Sequence, residues 1–116
     1  MTVRSGLKTK SYVLAIRITR LSRFLETAQR EDVLSKLVLR SGTAIGAVIR
    51  EAEYARSKVS FRHKIRVALK EVNETYYWLS ILRDTDYLAQ RQFENLEKTC
   101  NDISRMLASN LDKTTD

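Results

Sequence analysis

The clearest pattern in this sequence is FENLEKTCNDISRML, residues 93–107. Large apolar side chains recur in it at steps of three and four residues, at Phe93, Leu96, Cys100, Ile103 and Leu107. This is the a/d heptad spacing of a helix that buries one face against other helices. The spacing therefore predicts a long amphipathic helix over about residues 88–111.

Three earlier segments carry helical patterns as well. The periodicity predicts helices over about residues 11–28, 31–55 and 60–84, with Ser60 as the N-cap of the third. The chain has no proline and only three glycines, which argues against a turn-rich β fold. Because short links between long helices force antiparallel neighbours, the sequence predicts an all-α, antiparallel up-down-up-down four-helix bundle.

The expected bundle fills almost the whole chain. It occupies residues 11–111, after a basic, flexible N-terminal segment over residues 1–10 and before a C-terminal tail over residues 112–116. The sequence contains no apolar run long enough for a membrane span and no pattern of a signal peptide, so we expect a cytoplasmic protein without membrane contact. A single cysteine, Cys100, excludes an intrachain disulfide.

The charge is positive and unevenly distributed along the chain. The 116 residues include 21 Lys and Arg against 14 Asp and Glu, for a net charge of +7. Residues 1–66 carry 15 basic and 5 acidic side chains, whereas residues 67–116 carry 6 basic and 9 acidic ones. This polarity favours an anionic partner, with nucleic acid ahead of a membrane surface, although a soluble protein can also be basic without such a partner.

The second predicted helix has an unusually wide apolar face. Its apolar residues cover an arc of about 200° at 100° per residue, more than one pair of neighbouring helices is expected to hide. The arc predicts a further partner, most simply a second copy of the chain. Gly42 and Gly46 stand four residues apart in this segment, which indicates close approach of another backbone, within the chain or in an oligomer. Alternatively, residues 41–43 are a break between two short helices.

Two charged residues fall on apolar helix faces. Glu51 has the same helical angle as Val33, and Arg17 falls between Leu21 and Phe24. Either the two charges are buried and paired, with each other as first candidates, or both extend to solvent at the edge of an interface.

Catalytic and metal-binding patterns are missing from the sequence. His63 is the only histidine and has no carboxylate within four residues, so it favours neither a catalytic triad nor a bundle-core metal site. No glycine-rich phosphate-binding loop is present. We expect a protein that is not an enzyme and that has no cofactor and no metal ion.

Basic residues cluster around the start of the third helix. Within 15 residues lie Arg56, Lys58, Arg62, Lys64, Arg66 and Lys70. Arg62, Arg66 and Lys70 step by four, so we expect one outward-facing ridge that continues to Tyr77 and contacts phosphates. The same ridge is also compatible with a solvated face or with a contact to acidic residues of a neighbouring subunit.

One stretch resembles the signature of a known family. LVLRSGTAIGAVIREA, residues 37–52, is similar to an arginine and small residues followed by Ser/Thr-Ile-Gly-Ala-Asn-Ile-x-Glu-Ala/Gly. Phe61, Trp78 and Tyr87 follow in the order that the family shows. The chain thus resembles the four helix bundle protein family, also called the 23S rRNA intervening sequence proteins, over about residues 11–108. Val48 departs from the pattern, because the family usually has Asn there.

This resemblance implies an assembly and a set of partners. Family members form antiparallel four-helix bundles and homopentameric rings, and some are encoded inside intervening sequences of bacterial 23S rRNA genes. A related group, the accessory variability determinants of diversity-generating retroelements, binds nucleic acid and a reverse transcriptase. We therefore expect a homopentamer that binds RNA or DNA, with a reverse transcriptase or another protein as a further partner. The alternative function is a structural or adaptor oligomer that recruits a protein without touching nucleic acid.

Overall fold

The computed structural model describes residues 1–114, and within them it contains four helices. They are α1 (Leu7–Thr27), α2 (Leu34–Ala52), α3 (Lys58–Asp84) and α4 (Gln90–Lys113). Since each connection between them has only five or six residues, every helix turns back along its predecessor. The predicted all-α, up-down four-helix bundle is confirmed.

The helices form a bundle with a square cross-section. Both α1 and α3 pack against α2 and α4, whereas the backbones of the diagonal pairs are farther apart. The bundle measures 48 × 21 × 19 Å, so its helices run along the long axis. Helix α1 packs extensively on α2 but much less on α4. The seam between α1 and α4 is therefore the loosest of the four.

The core follows the predicted stripes of α3 and α4. All five heptad residues of α4 are at most 5% exposed. They meet a buried stripe on α3 that consists of Phe61, Ile65, Ala68, Val72, Thr75, Leu79 and Leu82. The apolar periodicity thus indicated correctly which face each of these helices turns inward.

Helix α2 corrects one sequence-based interpretation. It is continuous through residues 41–43, so no break occurs there. Its wide apolar arc is largely covered within the chain, because Leu37, Ala44 and Val48 are half-buried at the edges of the stripe. Only Val33 and Ala47 of that arc are exposed, and Val33 precedes the helix. The arc is therefore no evidence for a second copy.

The helix boundaries differ from the prediction at points where hydrogen bonds end helices. The N-cap of α3 is Ser57 rather than Ser60, since Ser57 Oγ accepts a hydrogen bond from Ser60 N at 3.0 Å. Glu31 precedes α2, and its carboxylate accepts a hydrogen bond from Ser35 N at 3.1 Å. These side chains satisfy free backbone N–H groups at the helix ends. Hydrophobic periodicity indicates which face of a helix is buried and contains no information on such capping.

The ends of the bundle are also longer than expected. Helix α1 begins at Leu7, which is fully buried, so residues 7–10 are helical rather than part of a flexible segment. Asn110 fastens the residues before α1, because its Oδ1 accepts a hydrogen bond from Arg4 N and its Nδ2 donates one to Thr2 O. Helix α4 includes residues 112 and 113 of the predicted tail, while residues 115 and 116 lie outside the described part.

Candidate functional site

Antiparallel packing sorts the charges of the chain between the two ends of the bundle. Residues 1–16, 44–70 and 102–114 lie at one end and carry twelve Lys and Arg against four Asp and Glu, a net charge of +8. We call this the cationic end. Residues 17–43 and 71–101 lie at the other end, which carries nine basic and nine acidic side chains and is called the neutral end. The excess charge of the described chain thus lies entirely at one end.

Four of the six predicted basic residues face solvent as expected. Arg66 and Lys70 are exposed one turn apart on α3, and the ring of Tyr77 continues this line with 57% of its surface exposed. Arg56 is exposed in the connection between α2 and α3. Lys58 is exposed at the first residue of α3. These side chains form the outer surface of the cationic end.

Arg62 does not belong to the outward ridge, which corrects the prediction. It is half-buried and its Nη1 donates a hydrogen bond to Leu111 O at 2.6 Å. Leu111 O lies in the last turn of α4 and also accepts a capping hydrogen bond from Thr114 N at 3.2 Å. The negative end of the helix dipole lies at this turn and attracts the guanidinium. Arg62 therefore joins α3 to α4.

The predicted buried pair of Glu51 and Arg17 is wrong. The Glu51 side chain is 55% exposed, and its Oε1 accepts a hydrogen bond from Lys64 Nζ at 2.8 Å. Arg17 is half-buried and instead donates from Nη1 to Thr99 Oγ1 at 3.2 Å. The helical angle that Glu51 shares with Val33 does not indicate burial, because Val33 is itself outside the helix and 62% exposed. Lys64 is consequently a partner of α2 rather than a free cation.

The two helical glycines lie in the contact between α1 and α2 of the same chain. A Cβ atom at Gly42 would be only 2.7 Å from Ile18 Cγ2, and one at Gly46 would be 3.3 Å from Ser11 Oγ. Both glycines are buried within the single chain. The small residues therefore have an intrachain role in packing, which leaves them unavailable to a neighbouring subunit.

A network of charges closes the seam between α2 and α3. Arg40 Nη2 lies 3.0 Å from Glu71 Oε1 and 2.5 Å from Glu74 Oε2. The hydrogen bonds that Arg40 donates to Glu71 and then to Glu74 raise the pKa of Arg40. Burial alone would raise the pKa of Glu74, but the hydrogen bond with Arg40 helps to lower it below its ordinary value. Glu71 and Glu74 thus serve this ion pair rather than acid–base chemistry.

Chemical groups for catalysis do not converge anywhere in the described residues. No group of three His, Cys, Asp or Glu side chains between residues 1 and 114 is placed to hold a metal ion. Burial raises the pKa of the Cys100 thiol to about 12 despite the nearby charge of Arg17, so this thiol stays protonated and unreactive at neutral pH. No helix within residues 1–114 is long and apolar enough to cross a membrane.

Comparison with known proteins assigns the family of the chain. The family model described as 23S rRNA-intervening sequence protein matches residues 6–109, which is most of the sequence. The chain belongs to this family. A solved relative agrees with the assignment: the chain superposes on a crystal structure from Bacteroides thetaiotaomicron VPI-5482 with a TM-score of 0.90 and 46% sequence identity. The match covers 91% of this chain and 95% of the other.

The relative does not add an activity. Its structure is described as that of a protein with unknown function from the S23 ribosomal protein family. No curated protein matches the chain significantly.

Sequence reasoning missed the buried serines that link the helices. Ser22 Oγ of α1 donates to Ser35 O of α2 at 3.1 Å, and Thr75 Oγ1 of α3 donates to Ser41 Oγ of α2 at 2.9 Å. Ser35 and Ser41 are fully buried. Their spacing from Val38, three residues on either side, was the available pattern that placed them on the inward stripe of α2.

Proposed function

We propose that this protein is a non-enzymatic, oligomeric four-helix bundle that binds nucleic acid, with RNA as the ligand, through its cationic end. The observation that carries the proposal is the separation of charge, with +8 at one end of the bundle and zero at the other. A polyanion is attracted to such a surface over long distances, and phosphate contacts supply most of non-specific affinity.

The contact residues of the proposal are those that the bundle leaves open to solvent. Arg66 and Lys70 are exposed and make no ion pair or side-chain hydrogen bond within residues 1–114, and the same holds for Arg56. Their charges are available for phosphates without loss of an existing contact. The family description, which refers to 23S rRNA, supports RNA as the nucleic acid.

The decisive experiment compares two double charge reversals. Arg66→Glu with Lys70→Glu alters the cationic end, while Arg91→Glu with Lys98→Glu alters exposed positions of α4 at the neutral end. Both variants change the net charge by the same amount, so bulk charge is matched. Binding of a single-stranded RNA and of duplex DNA is measured by fluorescence anisotropy at several salt concentrations.

We expect only the first variant to weaken binding, and to do so for every sequence alike. Losing two phosphate contacts flattens the log–log salt dependence by about 1.4 for a single strand and about 1.8 for duplex DNA. Equal binding by the two variants, or a salt-independent affinity of the wild type, contradicts the proposal.

An adaptor function is the second candidate. The outer surface of α1 exposes two adjacent apolar side chains, with Tyr12 57% and Val13 45% exposed. Such a surface is suited to a protein contact, either with another copy or with a different protein. If nucleic acid fails to bind at low salt while mutation of Tyr12 and Val13 to Ser abolishes a protein complex, the adaptor function replaces the first proposal.

A further inference from the structure

The loose seam between α1 and α4 contains a groove at the neutral end. It has a volume of about 300 Å³, at the lower limit for small-molecule sites. Helix α1 contributes Arg17, Arg20, Leu21 and Phe24, and the other wall contains Leu88, Gln92, Asn95 and Leu96. The groove is distant from the cationic end, because its α1 residues lie in the C-terminal half of that helix and its α4 residues in the N-terminal half.

The polar groups of the groove are positive or neutral. No Asp or Glu lines it, although two arginines do. Arg20 is exposed and makes no ion pair or side-chain hydrogen bond within residues 1–114, and Arg17 has only its contact with Thr99. The side-chain amides of Gln92 and Asn95 also have no hydrogen-bond partner in this part of the chain. The groove thus offers cationic donors and free amide groups to one ligand.

Phe24 supplies the apolar part of the recognition surface. Its side chain is 48% exposed, which is unusual for a phenylalanine in a protein whose other two phenylalanines are at most 1% exposed. Phe24 borders this groove and also an adjoining cavity of about 690 Å³ near the connection between α3 and α4. An aromatic ring in such a position can stack on a planar ligand.

A ligand with a planar ring, hydrogen-bonding edges and an anionic group matches these side chains. We propose that the groove binds an unpaired nucleotide, with the base against Phe24, the base edge at Gln92 and Asn95, and the phosphate at Arg17 and Arg20. Arginine holds phosphate through paired N–H donors, and amides recognise base edges. The site is separate from the cationic end, so it does not depend on the function proposed above.

Calorimetric titration with adenosine 5′-monophosphate tests the site directly. We expect millimolar or tighter binding of the nucleotide, weaker binding of adenosine, and at least about fivefold loss of affinity in Phe24→Leu, because stacking is removed while an apolar side chain remains. Arg20→Gln is expected to weaken binding of the monophosphate but not binding of adenosine. Tyr12→Leu, another exposed aromatic residue of α1, is the matched control and retains wild-type affinity.

Two further measurements are needed. The first distinguishes a nucleotide within a strand from a free nucleotide, and the second tests this site independently of the cationic end. A short oligoadenylate that binds more tightly than the monophosphate identifies the ligand as an unpaired nucleotide of a strand, whereas equal affinities identify a free nucleotide. The Arg66→Glu, Lys70→Glu variant is expected to lose RNA affinity and to keep monophosphate binding. Failure of one proposal is therefore visible without failure of the other.

Two outcomes overturn the inference. One is the absence of monophosphate binding to the wild type at millimolar concentration. The other is a Phe24→Leu variant with unchanged nucleotide affinity and a changed mass in sedimentation equilibrium, since this result shows that the groove is a contact between copies of the chain.

Discussion

The two seams of α1 are built from different residues. Toward α2, Gly42 and Gly46 let the helices approach closely, and Ser22 adds a buried hydrogen bond across the contact. Toward α4, the long side chains of Arg17 and Phe24 border a groove, and α1 packs much less extensively on α4 than on α2. Small residues thus close one seam tightly, while large and polar residues leave a groove in the other.

The thiol of Cys100 tests whether the loose seam opens on its own. Cys100 is 1% exposed, and burial raises the pKa of its thiol to about 12. At pH 8 its thiolate fraction is then more than about 10³-fold below that of a free cysteine, so modification by a disulfide reagent is slowed at least as strongly. Labelling kinetics as a function of denaturant check this expectation. Fast labelling in the absence of denaturant shows local opening of α4.

Gly42→Ala tests the closed seam. The added Cβ would lie 2.7 Å from Ile18 Cγ2 and 2.9 Å from Ile18 Cγ1, and the branched side chain of Ile18 has little freedom to move. Overpacking of this kind costs about 1–3 kcal/mol, against a gain of about 1 kcal/mol in helix propensity. Urea unfolding is expected to show a net destabilisation of up to about 2 kcal/mol.

Gly46→Ala is the matched control for that substitution. Its Cβ would meet Ser11 Oγ at 3.3 Å, and a serine hydroxyl can rotate away at the expense of its hydrogen bond to Lys8 O. The cost then roughly cancels the propensity gain, and stability stays within about 0.5 kcal/mol of the wild type. Equal destabilisation by the two substitutions contradicts the difference in contact that the structure shows.

Acid is expected to weaken the seam between α2 and α3. The pKa of Glu74 is lowered in the folded protein, so its ion pair with Arg40 stabilises the fold above the unfolded pKa of about 4.3 and ceases to do so as the pH falls below the folded value. Arg40→Gln removes this contribution and should therefore reduce the loss of stability between pH 5 and pH 3. Denaturant unfolding at several pH values measures this loss of stability, with Arg91→Gln as a surface control.

Glu51→Ala is expected to have the smallest effect. A buried charge pair broken on one side costs about 3–5 kcal/mol, but Glu51 is 55% exposed and only contacts Lys64 at the surface. We expect a loss of about 0.5 kcal/mol or less, which disappears at high salt. A larger loss in a urea titration means that Glu51 is covered in the assembled protein.

The sequence predicted the fold more completely than the surface. The stripes of α3 and α4 were readable because large apolar residues recur every three to four positions, and no other arrangement buries them as simply. The place of Arg62, by contrast, depends on where the last turn of α4 ends in space, and helical angle alone does not contain that information. The same applies to the groove beside Phe24, whose two walls are about 70 residues apart in the sequence.

The uneven charge of the bundle makes the molecule an electric dipole along its 48 Å axis. In the field of a polyanion such a particle rotates so that its positive end leads, and it arrives end-on. The leading cross-section is only 21 × 19 Å, and 21 Å of duplex axis carries about 12 phosphate charges. Under the proposed function, each chain would therefore occupy a short footprint, and many copies could stand side by side on one nucleic acid.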